Sequence, residues 1–204
     1  MTTPMTPDFD ALRAHVPGIL TCRGALYSAV LVPLIRNKNG YDVLFEVRAG
    51  SIADQPGDTC FPGGRMEPGE TPRDTALRET CEELLIDPAQ VHLLGQLDIH
   101  ATTSLVIYPF VGEVTGYTDT YSTDEVARVI RVPLETVLAS VPEVYRIAWH
   151  SERPENFPFD RVAGGRNYRW RQLYDDQYFY DFGGETVWGL TARIIRAFVE
   201  TLGQ

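Results

Sequence analysis

Glu79, Glu82 and Glu83 stand within five residues of one another in GGRMEPGETPRDTALRETCEELLI, the stretch from Gly63 to Ile86. Like charges at helical spacing repel one another. A chain that gathers three on one helix either leaves that face in water or uses it to hold something positive. At ~100° per residue, Glu83 lies about 40° to one side of Glu79 and Glu82 about 60° to the other, so the carboxylates share a front. Leu77, Cys81 and Leu84 fall on the back, with Thr80 near its edge. Such a front is a set of hard oxygen ligands, the chemistry that Mg²⁺ and Mn²⁺ select.

The elements around the glutamates must position them. Thr71 suits a helix cap, Pro72 the first helical position and Asp74 the capping-box acid, so the helix is expected to run to about Leu85, before Pro88. Ahead of it, Gly63-Gly64 reads as a tight turn whose backbone can approach a phosphate or metal closely. Residues 25–36 read as a buried strand, NKNG as a hairpin turn, and 41–49 as an alternating second strand. Segments 91–100 and 105–114 are strand-like. Residues 124–141 combine a short strand with a helix from about Leu134. Residues 144–182 read as strands around a long loop, and 187–202 as an amphipathic helix. The expected fold is α/β or α+β, an α/β/α sandwich with a mixed sheet. Residues 1–24 read as a polar extension with a short helix over 9–16, and residues 25–204 as a single domain.

Composition narrows the partners. The chain has 204 residues and a formal net charge of -10, which argues against charge-driven binding to nucleic acid or an anionic membrane. No apolar run is long enough to span a bilayer, and the first residues do not resemble a signal peptide. Cys22, Cys60 and Cys81 form no paired pattern, which fits reduced thiols in a cytoplasmic protein, Cys60 and Cys81 being small core residues.

Gly64, five residues, Glu70, seven residues, Arg78-Glu79, a spacer pair, Glu82-Glu83: this spacing resembles the box of the Nudix hydrolase family, G-x5-E-x7-R-E-U-x-E-E-x-G-U, where U is apolar. Two positions depart. Thr80 stands where an apolar residue is usual, and Leu85 stands where the second glycine is usual, which predicts a different exit from the helix. The resemblance implies a Nudix-type sandwich whose members cut a diphosphate linked to another moiety. It implies that Glu79, Glu82 and Glu83 bind Mg²⁺ or Mn²⁺ and carry catalysis, with Glu79 orienting or deprotonating the attacking water. Gly63, Gly64, Glu70 and Arg78 are implied as supports.

Upstream, VLFEVRAGSIADQPGDTCFPGG (43–64) resembles the second signature of the coenzyme A pyrophosphatase branch. Arg48-Ala49, Gly57 and Phe61-Pro62-Gly63-Gly64 match it, whereas Ala53, Gln55 and Asp58 depart. TTSLVIYPFVGEV (102–114) and VWGLTARIIRAFV look like other parts of that branch. The implied substrate is coenzyme A or an acyl derivative, cut to 3′,5′-ADP and 4′-phosphopantetheine, with Arg48 on a substrate phosphate. The rivals are a Nudix hydrolase acting on ADP-ribose, a dinucleotide, a nucleoside triphosphate or another nucleoside diphosphate derivative, and a non-catalytic Nudix-like sensing module. Loop 154–171 reads either as an adenine or 3′-phosphate site or as ordinary surface. His100 reads either as facing the cleft or as structural. The aromatic face in 168–182 reads either as core or as the interface of a homodimer.

Overall fold

A computed structural model describes residues 14–15 and 18–203. The short helix expected over 9–16 falls almost wholly outside them.

The chain first forms a hairpin. The apolar runs of β1 (Leu26–Asn37) and β2 (Gly40–Arg48) pair antiparallel across the Asn37–Gly40 turn. β2 does not alternate as expected. Residues 43–47 are all buried, because packed layers cover both faces of this strand. β3 (Thr59–Cys60) pairs with β2, and β4 (Gly63–Arg65) pairs with β1. The Gly63-Gly64 turn expected from the sequence is therefore a short strand, which the β1 ladder holds extended.

After α1 (Pro72–Leu84) come β5 (Val91–Gln96), β6 (His100–Ala101), β7 (Leu105–Val114) and β8 (Val126–Pro133). β7 runs parallel to β1 and is antiparallel to β5 and β6, while β8 covers the far side of β2. The result is a mixed eight-stranded sheet whose main path is β3-β2-β1-β7-β5. A short α2 (Leu134–Ala139) follows β8. Then β9 (Glu143–Trp149), β10 (Leu173–Asp181) and β11 (Thr186–Trp188) make a second, antiparallel sheet. Val187 and Trp188, expected as helix, are strand, and α3 (Gly189–Thr201) starts after them.

Helices close the large sheet from both sides. Ala76 and Leu84 of α1 pack on Ala29, Leu31, Ile35 and Leu44. Thr191, Ile194, Ile195 and Phe198 recur at the i, i+3, i+4, i+7 spacing of one helical face, and α3 buries that stripe. There Ile194, Ile195 and Phe198 join Val32, Leu34, Val43 and Phe45 from the other side of the sheet. The expected α/β/α layering is present. Among the described residues no helix is long and apolar enough to cross a membrane.

Candidate active site

The two glycines set the distance between sheet and helix. Gly63 has φ +151°, and a β-carbon there would overlap the Ala29 carbonyl and Val30. Its N–H donates to Glu83 Oε2 at 2.8 Å. Gly64 lies directly beneath Glu79, and a β-carbon on it would collide with that carboxylate.

Helix α1 is capped as expected: Asp74 N–H donates to Thr71 Oγ1, and the Asp74 side chain accepts from the Thr71 N–H. Its roll about its axis differs from the wheel reading. Thr75, Ala76, Thr80, Glu83 and Leu84 are the buried residues, whereas Leu77 and Cys81 are only half-buried. The small side chains at 76 and 80 let the helix approach the sheet, so Glu83 is carried inward with them. Thr80 is wholly buried rather than on the flank, and its Oγ1 has no hydrogen-bond partner among the described residues. The shared front is graded: Glu83 is 3% exposed, Glu79 is half-buried, and the Glu82 side chain is 62% exposed.

The helix exit also corrects expectation. Leu85 adopts the left-handed conformation, φ 53° and ψ 49°, and its N–H reaches the Cys81 carbonyl. The leucine takes the conformation a glycine would supply, so the turn out of the helix is kept at an energetic cost. Loop residues cover the helix end: Ser122 N–H donates to Glu83 O and Thr120 Oγ1 to Leu84 O.

Arg78 ties the loop to the helix. Its Nε and Nη2 form a fork on Glu70 at 2.6 and 3.1 Å, and Nη2 also donates to Arg65 O. Nη1 lies 2.9 Å from Glu79 Oε1 and 3.2 Å from Glu82 Oε2. Glu70 further accepts from the Glu67 N–H and Thr75 Oγ1. These bonds, Arg78 first, hold its carboxyl down at about 2.

A carboxylate missed in the sequence stands behind the site. Glu46 of β2 is 1% exposed. Its Oε1 accepts from Cys60 Sγ at 3.3 Å across a strand pair, and Oε2 has no partner among the described residues. Cys60 is thus half-buried and hydrogen-bonded to a carboxylate, not simply a small core residue. Burial pushes Glu46 and Glu83 well above the ordinary carboxylate range; the charge of Glu46 adds to the rise at Glu83, and the charges of Glu125 and Glu79 add to that at Glu46. Burial also raises Glu79, against the opposing pull of Arg78. Glu125, in the loop before β8, adds negative charge felt by Glu46, Glu79 and Glu83. The signal for Glu46 was a lone acid inside the apolar run VLFEV. Glu125 sits in an ordinary polar loop, and only the fold brings it near.

Arg48 follows an irregularity between Val47 and Arg48 in the β2–β8 pairing, and its Nε donates to Asp54 O. It lines a cleft of about 250 Å³ together with Cys60, Gly63, Gly64 and Trp188. Two other candidates lie elsewhere. His100 borders a different recess beside Asp175 and Arg193, and burial and then Arg193 disfavour its charge. Loop 154–171 packs on itself: Phe157 meets Phe159 and Trp170, Arg153 stacks over Trp170, and Arg166 stacks over Phe159. No residue of that loop lines the cleft.

The donor set fits a hard divalent cation. Two buried carboxylates repel each other, one oxygen is unpartnered, and a third carboxylate is half-buried beside a glycine that leaves it room. Among the described residues, no three such side chains already converge as ligands. Arg78 engages both Glu79 and Glu82, while Gly63 holds Glu83.

Comparison with known proteins identifies the family. The NUDIX domain model matches residues 26–161. Nudix hydrolase 3 of Caenorhabditis elegans is 34% identical over 116 residues, which make up 54% of this chain and 48% of that protein. The chain therefore spans about half of that relative's length. The uncharacterized Nudix hydrolase NudL of Yersinia enterocolitica is 31% identical over 174 residues, 83% of this chain and 78% of that protein. A MutT/nudix family protein from Enterococcus faecalis superposes with a TM-score of 0.54 at 16% identity, covering 96% of this chain and 68% of that one, a likeness of fold.

Proposed function

The chain belongs to the Nudix family, and from that premise we propose that it hydrolyses the diphosphate bond of coenzyme A or an acyl-coenzyme A. The products are 3′,5′-ADP and (acyl-)4′-phosphopantetheine. The observation that carries this reading is one of position. Arg48 and Gly63-Gly64, from the two matched parts of the upstream signature, border one cleft, and the same two glycines touch Glu79 and Glu83, which supports a diphosphate held between Arg48 and those carboxylates.

Glu79, Glu82 and Glu83 are the proposed ligands of Mg²⁺ or Mn²⁺. When bound, such ions neutralise the diphosphate oxygens and lower the pKa of water. The chain's own groups do the rest. Glu79, with its carboxylate over Gly64, orients the water and accepts its proton. The water oxygen joins one phosphorus, the anhydride P–O bond breaks, and the leaving phosphate takes the bond's electrons. Gly63 N–H fixes Glu83, and the Arg78–Glu70 fork fixes the loop that begins the helix. Arg48 attracts phosphate oxygens, and apolar wall residues such as Val30, Ile107 and Ile194 limit water in the cleft.

A panel of coenzyme A, acetyl-coenzyme A, ADP-ribose, a dinucleotide and a nucleoside triphosphate, incubated with Mg²⁺ or Mn²⁺ and resolved by mass, tests the reading. Dominant 3′,5′-ADP and 4′-phosphopantetheine are expected. Faster cleavage of another diphosphate would move the chain to a different specificity within the family, which Ala53, standing where a second arginine is usual, would help explain. No cleavage with either metal would favour a binding module.

A further inference from the structure

Side chains of the second sheet alternate between its two faces, and along β10 and β11 those faces differ in what covers them, whereas β9 is exposed throughout. Tyr178, Tyr180 and Val187 point into the core against α3. The opposite face carries Tyr145, Ile147, Trp149, Phe179 and Trp188, and it is open: Tyr145, Ile147, Trp149 and Trp188 are 54%, 46%, 60% and 44% exposed. These residues line a groove of about 740 Å³. Phe179 and Trp188 are cross-strand partners with stacked rings, centroids 5.8 Å apart, and Tyr145 meets Phe179 edge-on at 5.6 Å.

The groove begins at the active cleft. Trp188 lines both, and β11 packs beside β3, the strand that leads into Gly63. From Trp188 the apolar surface runs across Phe179 to β9 and along it to Trp149. The seven residues of β9 give this strip a length of about 20 Å. A flat base needs one stacking partner; a strip of this length suits an extended chain. The charge is equally selective. Among the described residues no Lys or Arg lines the groove, while Glu143 and Asp181 border it, so a second phosphate meets two carboxylates that repel it. The same carboxylates disfavour a two-fold copy laid face to face, which would bring like charges together.

We propose that this groove binds the uncharged apolar chain of the substrate, the acyl-thioester end of an acyl-coenzyme A, while the diphosphate lies in the adjoining cleft. This rests on the reading that the cleft cuts coenzyme A-type diphosphates. Burial of successive methylenes on the strip then makes longer acyl chains better substrates.

The test measures kcat/KM with the full chain and Mg²⁺ for acetyl-, octanoyl- and dodecanoyl-coenzyme A, below their aggregation thresholds. Calorimetric binding of coenzyme A and dodecanoyl-coenzyme A in EDTA accompanies it. The expected result is a rise of about tenfold or more from acetyl to dodecanoyl, mainly through KM, and a ratio near one in the exposed double variant I147S/W149S. Equal rates at all lengths, with coenzyme A still cut, would overturn the groove assignment and leave the reaction intact. If nothing is cut but dodecanoyl-coenzyme A binds more tightly than coenzyme A, and I147S/W149S removes the difference, the groove stands and the reaction assignment falls. A wild-type dimer that I147S/W149S dissociates, with no chain-length effect, gives the face to a second copy and overturns the proposal.

Discussion

Gly64 and Glu79 share space that only a glycine leaves open: a β-carbon at 64 would overlap the Glu79 carboxylate. The obstructed group is the far end of a flexible side chain, so the helix and β4 can stay in place while the carboxylate swings away. Gly64→Ala is therefore expected to change unfolding free energy by less than about 1 kcal/mol and to lower kcat by about 10²-fold, because a small misplacement of a reacting group is costly. Urea unfolding and steady-state kinetics on the same preparation check the split. A loss confined to stability would remove Glu79 from the chemistry.

Thr80 buries a hydroxyl that bonds to none of the described residues. Valine has nearly the same shape and no polar atom to desolvate. Thr80→Val should raise stability by about 1 kcal/mol, read as a shift of the urea midpoint at unchanged m-value. An unchanged or lowered midpoint would mean that the hydroxyl has a partner in solution, such as a trapped water.

Leu85 holds a left-handed backbone conformation that costs a non-glycine residue about 1–2 kcal/mol, and its side chain is 60% exposed. Part of the gain from Leu85→Gly is offset by the greater freedom of glycine in the unfolded chain. A net rise of up to about 1 kcal/mol is expected, again from the urea midpoint. A drop in stability would show that the exposed leucine packs more usefully than its exposure suggests.

These two departures from the motif also mark what the sequence could reveal. The box spacing located the helix, its cap and its charged residues, because those are local: Thr71, Pro72, Asp74 and the glutamate repeat lie within a few turns. The strands of the large sheet were legible as β-branched apolar runs bounded by turn residues. The roll of α1 was not, since Ala76 and Thr80 are too small and too polar to stand out as a buried stripe. Glu46 and Glu125 join the site only through strand pairing and loop placement far from the box. Loop 154–171 stayed open between two readings, because aromatic and arginine content alone does not distinguish a ligand site from a loop packing on itself; the structure shows the second.

Glu70 gives the chain a defined acid response. Its folded value of about 2 lies below the ordinary 4.5, chiefly through the Arg78 fork. The carboxylate bonds more strongly in the folded chain than in the unfolded one. Its contribution is complete above pH 4.5 and is lost as pH falls from there toward 2. Glu70→Gln should be less stable than wild type at pH 7, and the two stability curves should converge as pH drops through that window. Parallel curves down to pH 2 would mean that the Arg78 pairing does not persist in solution.

Glu83 joins the inward turn of α1 to the proposed cation chemistry. It is buried and holds the Gly63 N–H, and it is crowded by the charge of Glu46. A divalent ion that binds only the folded chain stabilises it by about 2.7 kcal/mol at a hundredfold excess over Kd. In a chain of this size that is a rise in Tm of about 5–10 °C. Glu83→Gln keeps an oxygen for the Gly63 N–H and removes a buried charge. Without metal it should be at least as stable as wild type. With Mn²⁺ it should show little of the rise in Tm, and hydrolysis should fall by about 10²-fold or more. Both readouts are needed, because a structural role alone would lower the metal-free Tm and leave the Mn²⁺ increment intact. An equal Mn²⁺ increment in the variant would take Glu83 out of the ligand set and leave Glu79 and Glu82, with Glu46 behind them, as the carboxylates to test next.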